Sequence, residues 1–351
     1  MDKNEFLIRY SLNAMQLPTH TDRPASVPHS RIPAFRLIDS QLSRVKELIN
    51  EQLTSPAGAG DVNRLLKHVR GRSGKMIRPG LVLLAGGCCG KITDEHIQIA
   101  AIVEMIHCAT LLHDDVIDEG QKRRGLPTIN NLWGNEAAVL LGDFLLGRVF
   151  EMCAELGPPV AKVIAGVAVR VCEGELRQII QRQNWELSES EYIDVITEKS
   201  AVLFSSSCQL GALSAQATET QARSLAEFGM NAGIAFQITD DLLDIIGDES
   251  KTGKTLGRDA DKHKLTLAVI HLLGAAGERE KGAVISSYLE RKQYDKDALR
   301  EMLGHYGSLE YTHSRAQEFV ARAIGALGDL KESAAKDALI EIAKFITGRV
   351  V

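Results

Sequence analysis

Leu111–Gly125 reads LLHDDVIDEGQKRRG: an apolar run meets Asp114, Asp115 and Asp118, and Arg123 and Arg124 follow. The pattern returns at Ile238–Gly247, ITDDLLDIIG, with Asp240, Asp241 and Asp244. Residues four apart share a face of a helix, so Asp114 and Asp118 point one way with Asp115 offset. Asp240 and Asp244 do the same, with Asp241 offset. Like charges at this spacing repel. They become useful around a hard divalent cation: magnesium takes a few carboxylate oxygens and completes its shell with water and phosphate oxygens. A solvated acidic helix end would account for one such motif. Here there are two, each after an apolar helical run (Ile106–Leu112 and Ile234–Ile238). Basic residues follow each, Arg123 and Arg124 after the first and Lys251, Lys254 and Lys264 after the second. Acid plus base beside an apolar wall suits a metal-bound diphosphate carrying an apolar tail.

Outward from these motifs, apolar residues recur at helical spacing almost throughout residues 36–351. The predicted helices are 37–53, 79–88, 94–117, 135–156, 159–181, 191–217, 221–246, 264–273, 278–289, 295–306, 308–327 and 331–347. Glycine and proline punctuate them, at Gly86-Gly87, Gly90 and Gly157-Pro158-Pro159, and a polar loop, GDESKTGKTLG, follows Ile246. No linker divides the chain. The expectation is one all-α domain over 36–351, a bundle of long helices around a central substrate cavity. Residues 1–35, with Pro18, Pro24, Pro28 and Pro33 among polar neighbours, read as a poorly ordered N-terminal extension.

Composition narrows the function. The chain has 351 residues, 44% hydrophobic and 25% charged, which is enough to build a sizeable core. A net charge of -5 argues against general nucleic-acid binding, although Lys67–Arg78, KHVRGRSGKMIR, is a local basic cluster. Six cysteines form no Cys-x-x-Cys pair and read as buried free thiols of a cytoplasmic protein. Asp2 and Glu5 interrupt the N-terminus, so no signal peptide is predicted. Glu104, His107 and Arg148 interrupt the longest apolar stretches, so no transmembrane helix is predicted either.

From Leu37 to Arg349 the chain resembles the trans-isoprenyl diphosphate synthases. The resemblance rests on an ordered set: SGKMIRP, EMIH, LLHDDVIDEGQKRRG, FQITDDLLDIIGD and GKTLGRDADKHKLTL. It implies that Asp114, Asp118, Asp240 and Asp244 hold magnesium ions bridging an allylic prenyl diphosphate, supported by Asp115 and Asp241. It further implies that Arg123 contacts that diphosphate. Lys75, Arg78, His107 and Arg124 would bind isopentenyl diphosphate. Lys199, Lys254 and Lys264 would neutralise the departing diphosphate, and Ser200 with Gln237 would face the developing carbocation. Met76 stands where the family has an arginine, Ser73 where it has a glycine, and Ala268 where it often has proline. Glu173 and Glu175 are read as structural rather than metal ligands, and Asp143 as either an acceptor behind the site residues or a polar core residue. The family commonly forms homodimers through long helices, which is expected here, with peripheral membrane contact for release of a lipid product.

Product length is also legible. Ile106, Ala109 and Thr110 lie one to two turns before Asp114 on about the same face, and none is aromatic. A growing chain can pass between helices there, with Phe150 or Met152 as a floor. The resulting expectation is a medium- to long-chain polyprenyl diphosphate. A geranylgeranyl-length synthase, a terpene cyclase and a non-catalytic partner subunit are the rivals.

Overall fold

The computed structural model describes residues 32–55, 60–70, 74–123, 125–247, 264–289 and 296–349. Ser73, Arg124, Lys251 and Lys254 lie outside the described residues. Packing begins at Ile32, before the boundary drawn from sequence. A 3-10 turn, Pro33–Ile38, leads into α1, Asp39–Gln52, and Ile32, Ala34, Phe35 and Ile38 are buried in the core.

The helices that follow are α2 Gly60–Val69, α3 Ile77–Cys89, α4 Asp94–Ile117, α5 Ile129–Trp133, α6 Asn135–Leu156 and α7 Pro158–Ile180. Then come α8 Glu189–Ile196, α9 Val202–Ser214, α10 Glu219–Ile246, α11 Leu267–Ala275, α12 Glu278–Leu289, α13 Lys296–His305, α14 Ser308–Ala326 and α15 Ala334–Thr347. Among the described residues the only strands form a two-residue antiparallel hairpin, β1 Lys122–Arg123 with β2 Leu126–Pro127. The chain is all-α, as its periodicity predicts.

Four helices form the middle of the bundle. α9 packs on α3 and α10, α4 packs on α3 and α6, and α14 covers α10. α9 and α3 approach closely because α9 carries Gly211, where a Cβ would fall 2.2 Å from the Val82 carbonyl oxygen. The Gly211 carbonyl oxygen in turn lies 3.0 Å from His96 Nε2. Capping sets where the two aspartate-bearing helices start. The Thr93 N–H donates to His96 Nδ1 at 3.1 Å at the head of α4, and Thr218 and Gln221 form a reciprocal capping box at the head of α10. By length and apolarity alone α4 could cross a membrane, yet 67% of its most apolar window is buried inside the fold.

Four local features differ from the sequence reading. The helix predicted over 191–217 is three pieces: α8, a π turn over Thr197–Ala201, and α9. π turns inside helices recur at functional sites, and this one carries Lys199 and Ser200. The others are α2, which is strongly amphipathic but only ten residues long, the five-residue α5 and the hairpin, none of which is among the elements read from the sequence.

Candidate active site

Both aspartate motifs sit at helix C-termini, where the helix dipole disfavours negative charge. The first straddles the end of α4. Asp114 and Asp115 lie in its last turn and Asp118 is its C-cap, donating its N–H to the Asp114 carbonyl at 2.8 Å. The second lies wholly inside α10, which runs on to Ile246. Asp114, Asp115, Asp118, Asp240 and Asp241 each face a cation or donor of this chain.

Asp115, the offset member, is buried at 5% exposure and held by Arg123, whose Nε lies 2.9 Å and Nη2 2.8 Å from its Oδ1. Arg123 reaches it because the hairpin folds the chain back. Asn130 Nδ2 donates at 3.0 Å to the carbonyls of Asp115 and Gly120, and Thr128 Oγ1 donates to Gly120 at 2.6 Å. Asp118 faces Lys264, 3.2 Å away.

Asp114 faces Lys199 and the negative charge of Glu175 and Asp118. Burial pushes its carboxyl pKa up; Lys199 and Arg123 oppose that, while Glu175 and Asp118 add to it. Lys199 is paired with Glu175 and donates to Gln178 Oε1 at 2.8 Å. Burial works against its ammonium, but Asp114 and Glu175 outweigh that and raise its pKa. Lys199 can stand there because α7 presses against the π turn at Gly174, where a Cβ would fall 2.5 Å from the Lys199 backbone nitrogen.

On the second motif Arg349, just past α15, pairs with Asp240 at 2.7 Å. Tyr192 donates to Asp241 Oδ2 at 2.7 Å, and Gln237 Nε2 donates to Asp241 Oδ1 at 2.7 Å. Ser200 donates to Gln237 Oε1 at 2.7 Å. A relay from the π turn to the second motif thus holds the Gln237 amide in one orientation. A small cavity is lined by Arg182 and Lys264, beside Asp118, and by Tyr192, beside Asp241. Partners of both motifs therefore line one space.

The cations read as belonging to isopentenyl diphosphate sit at the head of α3. Arg78 stacks over Phe204, 4.7 Å from the ring centre, and Lys75 stands over Phe345 at 5.7 Å. Phe204 packs on Phe236 at 5.2 Å, and Arg349 covers the other ring at 4.4 Å. This aromatic pair ties the basic cluster to the second motif. Met76, in the arginine's place, is buried at 2% exposure with φ 52 and contributes no charge. His107 is half-buried on α4, and the Thr110 hydroxyl donates to its carbonyl at 2.9 Å. Ile106 and Ala109 are buried. The floor assigned to Phe150 is corrected: that ring is 62% exposed and points away from the core, whereas Met152 is buried.

Sequence reading missed Arg182, Tyr192 and Arg349, and set Glu175 aside as structural. The signal for one stripe was present, because Glu175, Gln178 and Arg182 are spaced i, i+3, i+7 along and just beyond α7. Tyr192 and Arg349 had no comparable signal; their contacts are long-range.

The donor set fits a hard divalent ion. Asp118 Oδ1 is buried without a hydrogen bond, and the Asp114 carboxyl pKa is raised, first by burial and then by the neighbouring Glu175 and Asp118. Among the described residues no three His, Cys, Asp or Glu side chains converge on one point. The carboxylates offer pairs, and an ion here would complete its shell from water and diphosphate oxygens, as magnesium does.

Against this geometry the sequence model of the polyprenyl synthetase family matches residues 61–305. The chain belongs to that family. It is 35% identical to the octaprenyl diphosphate synthase of Escherichia coli (strain K12) over 316 residues, covering 89% of this chain and 97% of that protein. Among solved structures it resembles a decaprenyl diphosphate synthase from Rhodobacter capsulatus, with a TM-score of 0.85, 35% identity, 92% of this chain covered and 100% of that one. It also resembles a polyprenyl synthase from Caulobacter crescentus CB15 complexed with calcium and isoprenyl diphosphate, with a TM-score of 0.86, 32% identity, 91% of this chain covered and 97% of that one. This member of the family is a prenyltransferase of the trans-isoprenyl diphosphate synthase type, using a divalent metal.

Proposed function

We propose that this polyprenyl synthetase extends an allylic prenyl diphosphate with isopentenyl diphosphate, using magnesium, to a medium- or long-chain trans-polyprenyl diphosphate. The carrying observation is that partners of both aspartate motifs, Lys264 of Asp118 and Tyr192 of Asp241, line one cavity, while the first motif follows the buried apolar residues Ile106 and Ala109. The names of the octaprenyl and decaprenyl relatives agree with that product range. The ion, when bound, supplies positive charge to the diphosphate oxygens. Lys199 and Lys264 add fixed charge where the carbon–oxygen bond breaks and negative charge grows. The oriented Gln237 amide and the Ser200 hydroxyl present oxygen to the allylic cation. The double bond of isopentenyl diphosphate closes the new carbon–carbon bond, and a proton leaves to the released pyrophosphate. The apolar wall excludes water that would quench the cation.

The proposal extends to assembly and location. Leu140 on α6 and Val169, Leu176 and Ile180 on α7 are exposed, Ile180 at 80%, on two helices that pack side by side. We assign this face to a homodimer, because so many large apolar side chains in one region of a surface call for a partner. All six cysteines are free, which supports a reducing, cytoplasmic setting, with release of the lipid product at a membrane surface. The test is incubation with farnesyl diphosphate, labelled isopentenyl diphosphate and magnesium. Products several isoprene units longer than farnesyl are expected, and no elongation at any magnesium concentration refutes the assignment.

A further inference from the structure

α7 ends at Ile180, and the chain turns away through Gln183, whose φ is 65. A non-glycine residue held left-handed is a strained choice that functional sites retain. The turn leaves Arg182 half-buried against the cavity described above. Its Nε and Nη2 are both buried and have no hydrogen-bond partner, and neither does Gln181 Oε1 beside it. The nearest anion is Asp118, with Oδ1 3.8 Å from Arg182 Nη2, beyond hydrogen-bond reach.

The other arginines of the site behave differently. Arg123 lies 2.8 Å from Asp115 and Arg349 2.7 Å from Asp240. Each is closed by one short ion pair, although Arg349 Nη2 is itself buried without a hydrogen-bond partner. Arg182 is not, and Lys264 already approaches the same Asp118 oxygen at 3.2 Å. An arginine serving only the end of its own helix would turn toward the last carbonyls of α7; this one turns across to α4. Buried guanidinium donors without acceptors are costly and call for a ligand or water. The cavity has room for a single water and not for a diphosphate. Lys264, which lines it, also approaches Asp118, so a diphosphate held between those two groups would meet the guanidinium at the cavity's edge.

We propose that Arg182 is a further substrate-binding residue. Its two free N–H donors take an oxygen of the allylic diphosphate, and of the pyrophosphate that leaves, beside Lys264. A planar fork suits phosphate oxygens in a way a point charge does not. The allylic partner is assigned because Arg182 shares Asp118 and Lys264, whereas Lys75 and Arg78 stand on Phe345 and Phe204. This rests on the proposed prenyl transfer.

The test is calorimetric titration of the full chain with inorganic pyrophosphate at fixed magnesium, for wild type, Arg182→Gln and Arg182→Lys, with unliganded thermal unfolding run on each. Loss of charged hydrogen bonds predicts about ten- to a hundredfold weaker pyrophosphate binding by Arg182→Gln, with an intermediate loss for Arg182→Lys. KM for the allylic substrate should rise and KM for isopentenyl diphosphate should hold. Pyrophosphate affinity within about threefold of wild type in a folded Arg182→Gln chain overturns the proposal. So does a KM effect confined to isopentenyl diphosphate. Should Arg182→Gln fail to fold, Arg182→Lys decides by the same two criteria. A wild type that binds magnesium pyrophosphate yet never elongates refutes the proposed function and leaves the Arg182 comparison readable.

Discussion

Replacing Arg349 by Met should weaken the metal-free chain and strengthen its response to a divalent ion. Arg349 Nη1 lies 2.7 Å from Asp240 Oδ1, and the guanidinium covers Phe236 at 4.4 Å. The arginine side chain is 12% exposed and the aspartate 26%. Removing one partner of a fully buried pair costs about 3–5 kcal/mol; breaking an exposed pair costs about 0–1 kcal/mol. This pair is partly exposed, and a methionine would keep the apolar cover on Phe236. An intermediate cost of about 1–2 kcal/mol follows, or roughly 1.5–3 °C in Tm for a domain of this size. The same substitution leaves Asp240 without its internal cation, so an added ion no longer competes with a guanidinium. Ligand stabilisation grows with the ratio of free ligand to Kd, so a tighter site gives a larger thermal shift. The assay is thermal unfolding of both chains across a magnesium or calcium titration without diphosphate. An unchanged metal-free Tm, or an ion-induced rise no larger than wild type's, would refute the view that Arg349 holds the place of the ion.

Two further outcomes follow from buried positions. Ala109 is fully buried on the wall below Asp114. Ala109→Phe should shorten the products formed from farnesyl diphosphate, with about 1–3 kcal/mol of overpacking visible as a lower Tm; an unchanged length distribution would exclude this wall as the chain's path. His96 is also fully buried, and burial lowers its pKa. The unfolded chain therefore takes up a proton below about pH 6.5 that the folded chain refuses. The stability contributed by the neutral ring is complete above that pH and is lost as pH falls toward the folded pKa. The loss approaches about 1.4 kcal/mol per pH unit, and His96→Gln should flatten that slope in denaturant titrations between pH 7 and 5.

The aspartate pairs were legible because their chemistry is local. Residues four apart on a helix share a face whatever surrounds them, so Asp114 with Asp118 and Asp240 with Asp244 could be read before any fold was known. The all-α class was legible for the same reason, since a 3.6-residue apolar period survives in the string. Lys199 was found by resemblance, but its setting was not. That it stands against Glu175 and Gln178 depends on α7 touching the π turn at Gly174. The exposure of Phe150 likewise depends on which side of α6 faces the core, and a single apolar residue cannot announce it.

By itself, then, the sequence determined the helices, the spacing of the carboxylates and the small side chains beneath the first motif, all consequences of neighbours within two turns. Tertiary structure alone decided which cation meets which carboxylate. Arg123 closes on Asp115 and Arg349 on Asp240, while Arg182 reaches Asp118 without closing. Coulombic partners are chosen by distance in space, and residues as far apart in the chain as Asp240 and Arg349 share no local pattern from which that distance could be read.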